Sequence, residues 1–258
     1  MIVTAALCWW NEDPSLLEAC LRSVTIADRI VAFDGAYARY PGATVRSPEE
    51  QAQVIRDFGG EVVVPDRLWK GQCEKRTAIM QRAAEGSDWI AVVDADWIVH
   101  ADRESVRAQL ADSTADAYSA PFTNPPNPGS TLAPSLWHQD QLRLNESHVV
   151  LYRALPGMRA EGLHYYISAM KGPERVWLQS DGPQDYADPP VPRSGRTVPH
   201  PQINGYEIEH RWAWRSDAAK LRERAFENDR WMVFGMTGQE DDRDDLPAPV
   251  YNDEIMPV

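Results

Sequence analysis

The chain has 258 residues, with 26 Lys and Arg against 39 Asp and Glu, for a formal charge of −13. That balance disfavours a mainly electrostatic hold on nucleic acid or on an anionic membrane surface. The length sets one large domain or two small ones, with enough chain to bury a core that needs neither disulfide nor metal. Cys8, Cys20 and Cys73 form no CxxC spacing and read as reduced thiols, so a cytoplasmic location is expected. No run approaches about 18 apolar residues, and the N-terminus lacks a basic region ahead of its apolar run. Neither a membrane span nor a signal peptide is therefore expected, and no integral membrane contact.

In chain order, IVTAALCW (2–9) is a nearly unbroken apolar run, the pattern of a strand covered on both faces. Asn11 or Asp13 can cap a helix that has Pro14 at its first position, and Leu16, Leu17, Cys20, Leu21 and Val24 recur at helical spacing. RIVAFDG (29–35) reads as a second strand. Ser47-Pro48-Glu49-Glu50 has the form of a capping box opening a helix to about Phe58. EVVVP (61–65) is a third strand, 72–84 a helix, and WIAVVDAD (89–96) a fourth strand. This alternation implies a mainly parallel sheet with right-handed crossovers. Ligands of such sheets bind at the carboxyl ends of the strands.

Beyond residue 100 the pattern changes. A helix at 102–111 is followed by strand-like runs at 117–122, 143–153, 162–168 and 175–179. Pro-rich stretches at 123–136 and 181–204 read as long loops, and Ser216 can cap a final helix to about Phe234. The expected organisation is one domain over 1–238, made of a first half (1–100) and a second half (101–238) that differ in pattern. An acidic tail occupies 239–258, with seven acids against Arg243 after residue 239.

The chemistry centres on Asp94-Ala95-Asp96. In an extended chain, residues i and i+2 face the same way. Two carboxylates at a strand end would offer hard oxygen ligands to Mg²⁺ or Mn²⁺, and such an ion would neutralise a diphosphate leaving group.

The ordered pieces resemble the nucleotide-diphospho-sugar transferases of the GT-A fold, most closely the family 2 glycosyltransferases. They are the apolar first strand followed by Asn11-Glu12, then LEACLRSV (17–24), ADRIVAFDGA (27–36), GQCEKRTAIMQRAA (71–84) and SDWIAVVDAD (87–96). The resemblance covers roughly residues 1–100. It implies an α/β fold with a mainly parallel sheet flanked by helices, and a mixed acceptor-side half. It also implies a nucleotide-diphospho-sugar donor held by Cys8, Trp9, Glu12, Asp34, Asp94 and Ala95, with metal on Asp94 and Asp96. The chain departs from the family pattern at Ala36-Tyr37 after the Asp-Gly, and at Trp97 where an acid often follows.

Other residues are candidates on weaker grounds. Lys70, Lys75 and Arg76 lie near the start of the third helix, where anions are favoured; a solvated helix face explains any one of them equally. Glu12 is also explained as first-turn dipole compensation, and Asp34 by turn formation. By position His210 resembles a third metal ligand, while His164, followed by Tyr165, resembles a His-Glu motif that has lost its acid. An inverting transferase needs a carboxylate near the acceptor hydroxyl; Asp140, Glu146 and Glu161 are available, and Glu161 is preferred together with His164. The acceptor is open among saccharide, protein, lipid-linked sugar and modified nucleic acid. A different class also stays open: a binding or structural protein that keeps the fold without the chemistry.

Overall fold

The computed structural model describes residues 1–123, 125, 146–161, 166–179, 196–211, 215, 216, 219, 221–223, 225 and 226. Among them, strands and helices alternate through the first hundred positions, as the apolar periodicities predict. β1 (Val3–Cys8) leads to α1 (Pro14–Ser23), β2 (Arg29–Phe33), α2 (Glu49–Asp57), β3 (Glu61–Val63), α3 (Gln72–Ala84) and β4 (Trp89–Asp94). There follow β5 (Trp97–Ala101), α4 (Arg103–Ala111), β6 (Ala117–Thr123), β7 (Glu146–Arg153), β8 (Arg159–Glu161), β9 (Tyr166–Lys171), β10 (Glu174–Gln179), β11 (Arg196–Thr197) and β12 (Tyr206–His210).

The main sheet has eight strands in the order β3-β2-β1-β4-β7-β6-β12-β5. The first four are parallel; β7 runs antiparallel to β4, and β5 antiparallel to β12. This is the expected α/β class: a sheet parallel in its first half, mixed in its second, and flanked by helices. β8, β9, β10 and β11 form a second, smaller sheet.

Burial on both faces explains why β1 reads as unbroken apolar sequence. Val3, Ala5, Leu7 and Trp9 enter one core with Leu17 and Cys20 of α1, Ile55 of α2 and Val106 of α4. Ala6 and Cys8 enter the other, with Ile79 and Met80 of α3 and the inner face of the small sheet. Truncating a fully buried side chain such as Leu17 to Ala costs about 2–5 kcal/mol. No helix among the described residues is long and apolar enough to cross a membrane.

Three local expectations are corrected. β4 stops at Asp94, and Ala95-Asp96 form a turn into β5, so the fourth strand ends two residues before the expected Asp96 and a new strand begins at Trp97. Ser47 does not cap α2: Pro48 holds the cap position with no side-chain bond, and the Ser47 hydroxyl goes to Asp34 instead. Four strands escape the sequence reading, β5, β8, β11 and β12, because each has five residues or fewer and carries little periodic signal. By contrast α1 is capped as expected, Asp13 accepting from the Ser15 amide with Pro14 following. His164, Tyr165, Asp140, most of the two long loops and the acidic tail lie outside the described residues.

Candidate functional site

The sheet order reverses at β1, with β2 on one side and β4 on the other. Open α/β sheets bind ligands at such a switch point, outside the carboxyl ends of the strands. The register places Phe33, Cys8 and Asp94 on one row across β2, β1 and β4. The chain just past that row forms the candidate site.

After β1 the backbone turns sharply. Asn11 has φ 48°, the one positive value among the described non-glycine residues, and its amide donates to Ser47 Oγ over 2.9 Å. After β2 comes Asp34, 2% exposed. Its Oδ1 accepts from the Gly35 amide and from Ser47 Oγ, and its Oδ2 from the Ser47 amide at 2.8 Å. Asp34 therefore closes the loop 35–47 onto the end of β2. Gly35 is required there: φ is +95°, and a Cβ would lie 2.7 Å from Pro65 Cγ and 2.8 Å from the Val45 carbonyl oxygen.

Lys75 and Arg76 rise from the first turns of α3, which begins at Gln72 after Gly71 at the cap. Both are buried, unlike residues of a solvated helix face. Lys75 Nζ donates to the carbonyls of Trp9 at 2.8 Å and Gly35 at 2.7 Å, tying the ends of β1 and β2 together. Burial pulls its ammonium down to about 8. Arg76 Nη2 donates to Asp94 Oδ1 over 2.8 Å, while its Nη1 is buried with no hydrogen-bond partner among the described residues. Burial also pushes the Cys8 thiol up.

The two aspartates occupy different surroundings. The Asp94 side chain is 32% exposed and lies against Arg76, whereas that of Asp96 is 4% exposed. Because 95–96 is a turn, the expectation that both carboxylates share a strand face does not hold. Asp96 Oδ2 lies 3.2 Å from His210 Nε2 and 3.4 Å from Arg215 Nε, the latter a charge contact outside hydrogen-bonding geometry. Burial opposes the charge on Asp96, but Arg215 and His210 outweigh it and hold the carboxyl below its usual range. Burial likewise opposes charge on His210, and Asp96 raises it.

Arg215 was not legible as a site residue. Its guanidinium also pairs with Glu12 and with Glu223. Burial pushes Glu12 up to about 7 against the pull of Arg215. Among the described residues no group of three His, Cys, Asp or Glu side chains comes together to hold a metal ion. Ala95 and Trp9 are buried within the core on the α1 side. Trp97, partly buried, packs edge-on against Phe122. Glu161 lies on β8, its carboxylate engaged by Arg159 and by Ser168 Oγ, and β8 is held to α3 where the Ala160 amide donates to Thr77 Oγ1.

No family model matches the chain, and no curated protein does. Several solved structures overlap part of it. One is S. aureus TarS 1-349 in complex with UDP, at 12% identity over 60% of this chain and 47% of that one, with a TM-score of 0.39. Another is the mannosyltransferase PcManGT from Pyrobaculum calidifontis in complex with GDP-Man and Mn²⁺, at 17% identity over 49% of this chain and 36% of that one, TM-score 0.31. A third, a mycobacterial protein, gives 14% identity over 62% of this chain and 56% of that one, TM-score 0.36. In each case the match spans less than two thirds of the neighbour's length.

Proposed function

We propose that this chain is a glycosyltransferase that moves a sugar from a nucleotide-diphospho-sugar to a hydroxyl acceptor, with Mn²⁺ or Mg²⁺ held at Asp96 and His210. One observation carries the reading: Asp96 Oδ2 and His210 Nε2 meet at 3.2 Å beside the switch point of the sheet, next to the Asp94–Arg76 pair.

The donor atoms suit the ion. A carboxylate oxygen and an imidazole nitrogen both bind Mn²⁺, and Mg²⁺ is commonly held by one or two carboxylates plus waters and substrate phosphates. Two protein donors fit that kind of incomplete site better than a closed cage. Glu12, Asp96 and Glu223 all reach the guanidinium of Arg215, which makes this end of the sheet rich in carboxylate oxygens. When bound, the ion supplies charge neutralisation at the leaving diphosphate.

The chain's own residues do the rest. Arg76 keeps Asp94 in place through Nη2 and has Nη1 left to donate to a phosphate or sugar oxygen. Lys75 and Asp34 fix the two loops that border the donor. In the reaction the acceptor oxygen bonds to the anomeric carbon. The bond from that carbon to the diphosphate oxygen breaks, its electron pair leaves with the nucleoside diphosphate, and the hydroxyl proton passes to a base. Glu161 is the candidate base, on the strand that lies against α3.

A thermal-shift screen against UDP-, GDP-, CDP-, ADP- and dTDP-sugars, with and without Mn²⁺, tests the reading. A donor at about 100 times its dissociation constant adds about 2.7 kcal/mol. The expected result is a shift that needs one nucleotide and the metal together and vanishes in Asp96→Asn. No shift with any donor would overturn it.

A further inference from the structure

A cavity of about 580 Å³ opens where the small sheet meets the main one, at the rim opposite the candidate site. Its size falls within the roughly 300–1,000 Å³ of small-molecule pockets. Asp116 lies in its wall, just before β6 and level with the amino end of β4. Arg153 sets that level: it pairs with Trp89, and its amide donates to the Asp116 carbonyl over 2.8 Å. β4 has six residues, so at about 3.3 Å per residue Asp94 is about 17 Å farther along the strand. The walls are tied down on both sides. Arg153 Nη2 donates to the Ser113 carbonyl at 2.8 Å and the Ala115 carbonyl at 3.0 Å. The Val198 amide donates to the Trp177 carbonyl over 2.9 Å, and the Ser119 amide to the Pro201 carbonyl over 3.0 Å. Segment 198–201 is thus held to β10 and to β6.

The lining is cationic in a chain of net charge −13. Lys171 and Arg196 bring two fixed positive charges, and Asp116 is the one acid among the lining residues. That carboxylate, 5% exposed, is already paired: Lys171 Nζ donates to Oδ2 over 2.5 Å, and Arg153 Nε stands 3.5 Å from Oδ1. Lys171 keeps two of its three N–H donors for another acceptor. Arg196 is exposed on β11, its backbone fixed opposite Val176, and its guanidinium makes no hydrogen bond or ion pair with any described residue.

We propose that this cavity binds a phosphate monoester of small-molecule size, with the phosphate on Arg196 and Lys171 and the carbon skeleton against Pro199 and Pro201. A guanidinium fork matches phosphate oxygens two at a time, and an ammonium adds a point charge. Two cationic heads suit a group of about two negative charges better than a carboxylate, which carries one. The inference is independent of the transferase reading, because none of these residues borders the Asp94 end of the sheet.

The test titrates glucose 6-phosphate into the full chain by calorimetry, with glucuronate and glucose as probes of the same ring. Saturable one-to-one binding of the phosphate is expected. Glucuronate should bind at least about tenfold more weakly and glucose not at all, since the charge-assisted contacts carry the affinity. Arg196→Gln should weaken the phosphate at least about tenfold and leave the melting temperature unchanged. Thr114→Trp fills the cavity without altering a charge and should abolish binding. Bound phosphate should slow hydrogen exchange in peptides covering 113–119 and 196–203. No saturable binding, or an unaltered affinity in both variants, overturns the site. So does protection confined to residues 71–76, which would put the anion at the other rim. Glucuronate binding within about threefold of the phosphate would overturn the phosphate assignment, because one charge would then suffice.

Discussion

Asp96 and His210 stand 114 positions apart in the chain, yet Oδ2 and Nε2 meet at 3.2 Å. The contact is delivered by strand pairing. β12 lies antiparallel to β5 with His210 opposite Trp97, one residue beyond Asp96. The turn at 95–96 and the register of β5 with β12 therefore decide whether a carboxylate and an imidazole face each other at the end of β4.

If that pair holds the ion, His210→Ala should weaken Mn²⁺ binding at least about tenfold, since even residues behind a ligand change metal affinity 10–100-fold. Calorimetric titration checks this, and an unaltered Mn²⁺ affinity would remove His210 from the site.

Lys75 should give stability an alkaline dependence. Its folded value of about 8 lies below the ordinary 10.5. Between those values the unfolded chain holds a proton that the folded chain has lost, so stability rises with pH across that window. Relative to Lys75→Met, the unaltered chain should gain about 2 kcal/mol between about pH 7.5 and 9.5. Urea midpoints at the two pH values measure it, and a flat difference would mean that the ammonium is not desolvated.

Gly35→Ala should destabilise by about 2–4 kcal/mol, combining an unfavourable left-handed backbone with overpacking against Pro65 and Val45. Chemical denaturation reads it directly. A loss under about 0.5 kcal/mol, the range of an ordinary surface change, would show that the loop relaxes freely.

Ser47→Ala should cost about 1–3 kcal/mol, because it leaves a lone pair of Asp34 and the Asn11 amide without their partner. If the ends of β1 and β2 border the donor, the same variant should also raise KM for it. A thermal scan and a donor titration separate the two effects.

The first hundred residues were legible because each element there carries its own periodicity. β1 and β4 are nearly unbroken apolar runs, α1 has a cap and a stripe, and α3 runs over Gln72–Ala84 as its pattern predicts. What was not legible depends on partners distant in sequence. The capping-box pattern at Ser47 is local, but the hydroxyl finds a buried Asp34 thirteen residues earlier and is used there. Lys75 and Arg76 read as an ambiguous cationic pair, and only the fold shows one on two carbonyls and the other on Asp94. Arg215 lies in a Trp-rich run with no period, and nothing local marks it as the partner of Glu12, 203 positions away.

The row formed by Phe33, Cys8 and Asp94 has a consequence for how this sequence can change. Successive residues of β1 alternate between two cores, so deleting any one residue of Val3–Cys8 would swap the faces of part of the strand. The same deletion would draw Trp9 to Glu12 back by one step from the level of Asp94. Length variation in β1 is thus barred twice over, by the interior and by the rim. Insertions and deletions in this chain should accumulate at the far ends of the strands, where neither constraint operates.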